Sequence, residues 1–309
     1  MPLPYLLARI AGRRAYLVAD WPRVLAAAEP LASLPPSPYR LAPEGGAEAG
    51  LWSGLQCEFA WVHRQMGHAI QTIFEPFFIP LELRTLFMAL RLRSRGEEEQ
   101  TLAGVLRFSL LSKPVKRLLR EGTDLPAILA GVGAIADFWP EAERALPEIL
   151  QKQGLAGAEE RLANACLEHT ALSRLHPAVA SFVTHLIDME NIIALTKQLR
   201  WRMSEHDFIE GGNLPGALLR EAARDQEGGT ARRIIGRILG AEADPDPSVL
   251  VPLLAAQLGR ILRRQGRKPG GVGLILDYFW RRLTETRNLS LLLHGADLDR
   301  WTLEREMVL

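Results

Sequence analysis

The sequence predicts an all-α fold built from three similar helical domains that pack around a common axis. Three observations carry that expectation. Apolar residues recur at steps of three and four along most of the chain, segments with strand-like alternation are missing, and two short motifs return at matching intervals.

The elements follow in chain order. The opening "MPLPYLLARIAGRRAYLV" reads as a leucine-rich helix. Its apolar run is too short, and too interrupted by arginines, for a secretory signal. "DWPRVLA" from Asp20 is a helix start: the carboxylate caps free N–H groups, and a proline in the first turn gives up a donor that has no intrahelical partner. A Pro- and Gly-rich loop runs from Leu31 to Gly50. Beyond it, Leu51, Leu55, Phe59, Val62, Met66, Ile70 and Ile73 trace one helical face over about six turns. "SRGEEEQ" around Gly96 is a charged connection. "DLPAILA" at Asp124 and "NLPGALL" at Asn213 repeat the helix-start pattern. "VLVPLLAAQLGRILRR" places Leu250, Leu254, Leu258, Ile261 and Leu262 on one side of a helix.

A second motif sets a carboxylate three residues before an amide or hydroxyl. It occurs at Glu82 and Thr85, at Asp188 and Asn191, and at Glu285 and Asn288. Positions i and i+3 share a helix face. The two motifs keep step: Asp20 to Thr85 spans 65 residues, Asp124 to Asn191 spans 67, and Asn213 to Asn288 spans 75. The intervals imply three copies of a unit of roughly 100 residues, longer than a solenoid repeat. The expected domains are 1–105, 106–204 and 205–309. A polar residue repeated at one place in three copies points to one structural role, in which the amide of Asn191 or Asn288 bonds a neighbouring helix end while Asp188 or Glu285 holds the amide. The alternative is a polar ring facing a partner.

Composition limits the function. The chain carries 37 basic and 36 acidic residues, a formal net charge of +1. No global field steers it to nucleic acid or anionic lipid. The two cysteines, Cys57 and Cys166, form neither a C-x-x-C pair nor a disulfide framework and read as reduced thiols. No window reaches the roughly 18 uncharged apolar residues of a membrane span. The chain is expected to be soluble or to sit on a membrane from one side.

Catalytic motifs are absent from the sequence: there is no Walker A loop, no G-x-S-x-G and no H-E-x-x-H. The histidines, such as His63 with His68, lack metal-ligand spacing, so neither metal nor cofactor is expected. Asp188 with Glu190 is the nearest approach to a carboxylate site, and its recurrence favours scaffold over catalysis. One basic stretch, Arg260, Arg263, Arg264, Arg267 and Lys268, reads as a solvated face or as a contact for an acidic protein partner. It lacks the interleaved aromatics of a single-strand binder.

Three segments carry a family resemblance. "FVTHLIDMENIIALTKQLRWRMSEHDFIEGGNLPGALL" (Phe182 to Leu219) joins an acid–Asn–Ile helix to an aromatic-Ile-x-Gly-Gly step and a new helix. "DYFWRRLTETRNLSLLLHGADLDRWTLEREMVL" repeats the Asn-Leu element before a short terminal helix, and "YLLARIAGRRAYLV" opens the chain. In order and spacing these segments resemble the C subunit of archaeal-type rotary ATPases, called subunit d in the vacuolar type. The resemblance implies an all-helical fold with three domains about a pseudo-threefold axis, shaped as a funnel. It implies a non-catalytic central-stalk subunit on the cytoplasmic face of the membrane. Its partners would be the proteolipid rotor ring and the central shaft, with no nucleic acid and no span of its own. Thr85 departs from the pattern, standing where the other copies have Asn. The alternatives are a helical scaffold that binds proteins or nucleic acid outside a rotary ATPase, and an enzyme whose acids and histidines converge in a helical bundle.

Overall fold

A computed structural model describes residues 3–27, 33–34, 47–122, 124–136, 138–202, 207–225, 227–240, 245–268, 271–295 and 298–309. Most of the expected loop from Leu31 to Gly50 lies outside the described residues. Among those described, the secondary structure is fourteen α-helices with no strand. The all-α prediction holds because the apolar periodicity is helical nearly throughout.

The chain divides into two compact units, one formed by Met1–Gln71 with His176–Leu309 and the other by Thr72–Leu175. The first unit contains α1 (Leu3–Arg14), α2 (Trp21–Leu25) and α3 (Ala47–Gln65). It also contains α9 (Pro177–Trp201), α10 (Gly216–Arg224), α11 (Gly229–Leu239), α12 (Pro247–Gln265), α13 (Val272–His294) and α14 (Arg300–Glu306). Helix α4 (His68–Ser94) leads into the second unit, which continues with α5 (Glu99–Leu106), α6 (Lys113–Glu121), α7 (Leu125–Ile135) and α8 (Ala142–Leu172). The boundary expected between residues 105 and 106 falls one residue before the end of α5.

Helix α13 is the centre of the first unit. It packs against α1, α3, α9, α12 and α14. Its run Ile275 to Trp280 is buried on all sides, as suits a segment where several helices meet. Phe279 meets Phe59 edge-on at 5.1 Å between ring centroids, and Trp280 meets Phe182 at 6.1 Å. The start of α13 lies hard against the end of α12: a Cβ on Gly273 would stand 2.5 Å from the Gln265 carbonyl oxygen, so only glycine permits this approach. In the second unit Leu86 and Leu90 of α4, Leu102 and Leu106 of α5, Leu119 of α6, Ile128 of α7, and Leu146 and Leu162 of α8 form one core.

One sequence expectation changes. The apolar face from Leu51 to Ile73 is not one helix. It breaks at Met66 and Gly67, where the Gly67 carbonyl accepts the first N–H groups of α4, from Ile70 and Gln71. Apolar steps of three and four can continue across such a break, so periodicity alone does not reveal it. Helix α9 passes for a membrane-crossing helix by length and mean hydropathy, but it carries Asp188, Glu190 and Lys197, so no uncharged window arises. More than half of its apolar stretch, 56%, is buried inside the fold, as suits a core helix. In α8, Gly154 adopts φ 76° and breaks the helix into two arms, a conformation open to glycine at little cost.

Candidate functional site

The repeated acid and amide positions lie inside three long helices, α4, α9 and α13, and all are buried except Glu82, which is half-buried. Asn191 and Asn288 are completely buried, and Asp188, Glu285 and Thr85 nearly so. In α9 the Asn191 amide donates to the Ile209 carbonyl at 2.8 Å, and its oxygen accepts the Ile209 N–H at 2.8 Å. In α13 Asn288 does the same to Val308, at 2.9 and 3.0 Å. Each asparagine thus closes a two-point bond on one residue of an extended segment. An Asn side chain matches a peptide group, presenting one donor and one acceptor side by side.

The acids do not hold the amides, contrary to the expectation. Each grips its own stretch of backbone leading into another helix, α10 for Asp188, α2 for Glu285 and α6 for Glu82. Asp188 accepts from the Asn213 amide at 2.7 Å and from the Leu214 N–H at 3.0 Å. Glu285 accepts the Val18 N–H at 2.9 Å and pairs with Arg282, four-per-cent exposed, on its own helix. Glu82 accepts Ser109 Oγ at 2.6 Å and the N–H groups of Leu110 and Leu111 at 2.8 and 3.1 Å. The physical reason is reach. On a helix, i and i+3 side chains stand side by side, and each finds its own stretch of the crossing backbone before it finds the other. Thr85 lacks an amide and donates back to the Leu81 carbonyl at 3.1 Å, so the first copy grips with its acid.

The helix starts also sort differently. Asp20 caps α2 through the Arg23 N–H at 3.0 Å, and Asp124 caps α7 through the Ala127 N–H at 2.8 Å. Asn213 is not a cap: α10 begins at Gly216 after Pro215, and the Asn213 amide is drawn to Asp188. The segment gripped by Glu82 runs into α6, whose cap is Ser112, so the start "SKPV" plays in the second unit the part that "NLPG" plays for Asp188. Sequence reading missed Ser112 because serine before Lys-Pro is an ordinary cap. The signal that would have found it is its position about 30 residues after the acid, against 25 from Asp188 to Asn213.

The basic stretch lies at the end of α12 and just beyond, with Arg260, Arg263, Arg264, Arg267 and Lys268 all exposed. Cations suit a helix C-terminus, where carbonyl dipoles point outward. Below this edge stands Asp277, a buried carboxylate that sequence reading passed over as one more acid on a helix. It accepts from Arg14 of α1 at 2.9 Å. Burial pushes its carboxyl above the usual carboxylate range, and the nearby Arg14, Arg281 and Arg263 pull it back down. Burial lowers the Arg281 pKa; Asp277 opposes the shift, and Arg14 and Arg263 add to it. Three guanidinium groups around one carboxylate leave the edge with a surplus of positive charge. A second buried cluster anchors α1: Glu58 pairs with Arg13 and accepts the Tyr278 hydroxyl at 2.6 Å, while Arg13 stacks over Trp61.

Among the described residues no group of three His, Cys, Asp or Glu side chains stands close enough to hold a metal ion. His176 caps α9, and His185 bonds the Ser181 carbonyl on its own helix. Cys166 is buried, and burial raises its thiol pKa to about 11, which keeps it protonated and unreactive at neutral pH.

The polar residues that the sequence repeats are therefore spent largely on the chain's own backbone. That arrangement defines an all-α protein whose long helices are tied to crossing backbone by buried side chains. The chain belongs to the ATP synthase (C/AC39) subunit family, whose model matches residues 42–300, so it is a subunit of a V/A-type rotary ATPase. No curated protein matches the chain. The match leaves out α1 and α2, although Val18, between α1 and α2, completes the grip of Glu285.

Proposed function

We propose that the chain is the non-catalytic coupling subunit of the central stalk of a V/A-type proton- or sodium-translocating ATPase or ATP synthase. It joins the membrane rotor ring to the central shaft at the cytoplasmic face and passes torque between them. Its three repeats, 1–105, 106–204 and 205–309, surround the axis on which the shaft sits. The observation that carries the reading is the set of buried grips on α4, α9 and α13. A torque-bearing part needs few soft modes, and side chains in the middle of long helices that bond the backbone of the segments crossing them remove such modes. Family membership supplies the machine in which such a part works.

The basic edge from Arg260 to Lys268 is the surface offered to the acidic or polar loops of the ring or shaft. Contact through exposed charges weakens with salt. Affinity capture of the tagged chain from native membranes should bring down both ring and shaft subunits; capture of neither removes the coupling role. Replacing Arg264→Glu and Arg267→Glu together, which keeps Arg263 beside Asp277, should leave the fold intact, since both side chains are exposed, and should weaken assembly at least tenfold at low salt. Unchanged assembly of that double variant removes the edge from the interface and leaves the coupling role standing.

A further inference from the structure

Helices α9, α10, α11 and α12 enclose a cavity of about 490 Å³. Sites for small ligands span roughly 300–1,000 Å³. Its walls are aliphatic stripes at helical spacing: Met189 and Ile192 on α9, Ile234 on α11, and Leu254 and Leu258 on α12. The mouth is charged. Arg233 and Arg237 stand one turn apart on α11, both exposed. Arg233 donates to Thr230 Oγ1 at 3.0 Å, which holds the head of its side chain beside the opening. Glu221 is the opposing charge at the rim. The other carboxylate of the lining, Asp188, is already occupied by Asn213 and the Leu214 N–H. Two guanidinium groups therefore face one available carboxylate above an apolar interior.

We infer that this cavity binds a single-chain anionic amphiphile, with the alkyl chain along the aliphatic stripes and a carboxylate or phosphate head between Arg233 and Arg237. Alkyl burial supplies affinity in proportion to the area removed from water. The guanidinium forks supply selection for an anion, because they match carboxylate and phosphate oxygens in pairs. The lining has no Phe, Tyr or Trp to stack a base, and its imidazole, His185, is held on the Ser181 carbonyl of its own helix. The inference stands apart from the coupling role, since it concerns the isolated chain.

The test is a titration of the purified full chain with laurate and with dodecyl phosphate below their micelle concentrations, against dodecanol as the uncharged control. Both anions should raise the melting temperature with concentration, as a ligand of the folded state does. Dodecanol should bind at least tenfold more weakly. The rim variant Arg233→Glu with Arg237→Glu should keep the melting temperature of the unliganded chain and lose at least tenfold in laurate affinity. Leu258→Trp, which fills the cavity, should abolish binding. Flotation with phosphatidylglycerol vesicles that is lost in the rim variant assigns the site to a membrane lipid. Laurate binding without flotation assigns it to a free fatty acid. Absence of laurate binding, equal affinity for dodecanol, or equal affinity of the rim variant overturns the inference.

Discussion

Asn191→Leu is expected to lower stability by about 2–5 kcal/mol, because it strands two buried backbone groups at roughly 1–3 kcal/mol each. The Ile209 N–H and carbonyl have Asn191 as their partner, and Ile209 is itself buried. Leucine is close to asparagine in size and more apolar, so the loss reads the bonds and not a cavity. It is a large share of the roughly 5–15 kcal/mol that holds a folded domain together. Urea denaturation should show a lower midpoint at unchanged slope. Hydrogen exchange at the Ile209 amide should become fast while the core of α13 stays protected. Thr85→Val is the internal control. Its hydroxyl bonds the Leu81 carbonyl, already part of the helix, so the cost should stay under about 1.5 kcal/mol. A loss below about 1 kcal/mol for Asn191→Leu would mean that the two-point bond is not what holds this crossing.

Arg282→Met should cost about 3–5 kcal/mol, the usual penalty for removing one member of a buried ion pair. Arg282 and Glu285 are 4% and 3% exposed, so the change leaves a carboxylate deep in the fold. The double variant with Glu285→Leu should recover part of the loss, since no charge is stranded. It should remain roughly 1–3 kcal/mol short of the parent because the Val18 N–H then lacks its acceptor. A double-mutant cycle measures the coupling directly. Two single variants that simply add would show that Arg282 and Glu285 act independently. The structural meaning lies in Val18. Through Glu285 the segment between α1 and α2 is tied to a helix 267 residues away, so the same carboxylate serves a side-chain pair and a long-range closure.

Both predictions turn on positions that were legible as a pattern and illegible as a contact. The i, i+3 spacing of acid and amide put Asp188 with Asn191 and Glu285 with Asn288 on single helix faces, and the structure has them there, buried. The direction of each bond was not legible. Spacing along one helix carries no information about which segment crosses it, so the acid was expected to serve the amide when it serves Leu214 or Val18 instead. Asn213 shows the same limit from the other side. A cap residue before Leu-Pro is a sound local reading, but the Asp188 carboxylate accepts the Asn213 amide N–H at 2.7 Å and fixes that side chain, while the helix starts only at Gly216, after Pro215.

The basic edge was legible because charge needs no partner to be seen, and exposure is its default state. Asp277 was not. On the sequence it is an acid in an apolar helix, and only the arrival of α1 with Arg14, and of α12 with Arg263, makes it a buried centre of charge. The cavity under Arg233 and Arg237 was invisible for a related reason. Its stripes are ordinary amphipathic faces on three helices, and a void is a property of how far those helices stand apart.

What the amino-acid order determined alone is the helical fold, the recurrence of its polar motif and the family that recurrence marks. These depend on interactions within a few residues of chain, where periodicity, capping and proline geometry act. The tertiary structure decided which backbone each buried polar group serves, where one long apolar face breaks into α3 and α4, and which acid becomes the counter-charge of a cationic edge. Those outcomes depend on segments far apart in the chain meeting in a medium without water, where a polar group takes whichever partner the packing brings within 3 Å or so.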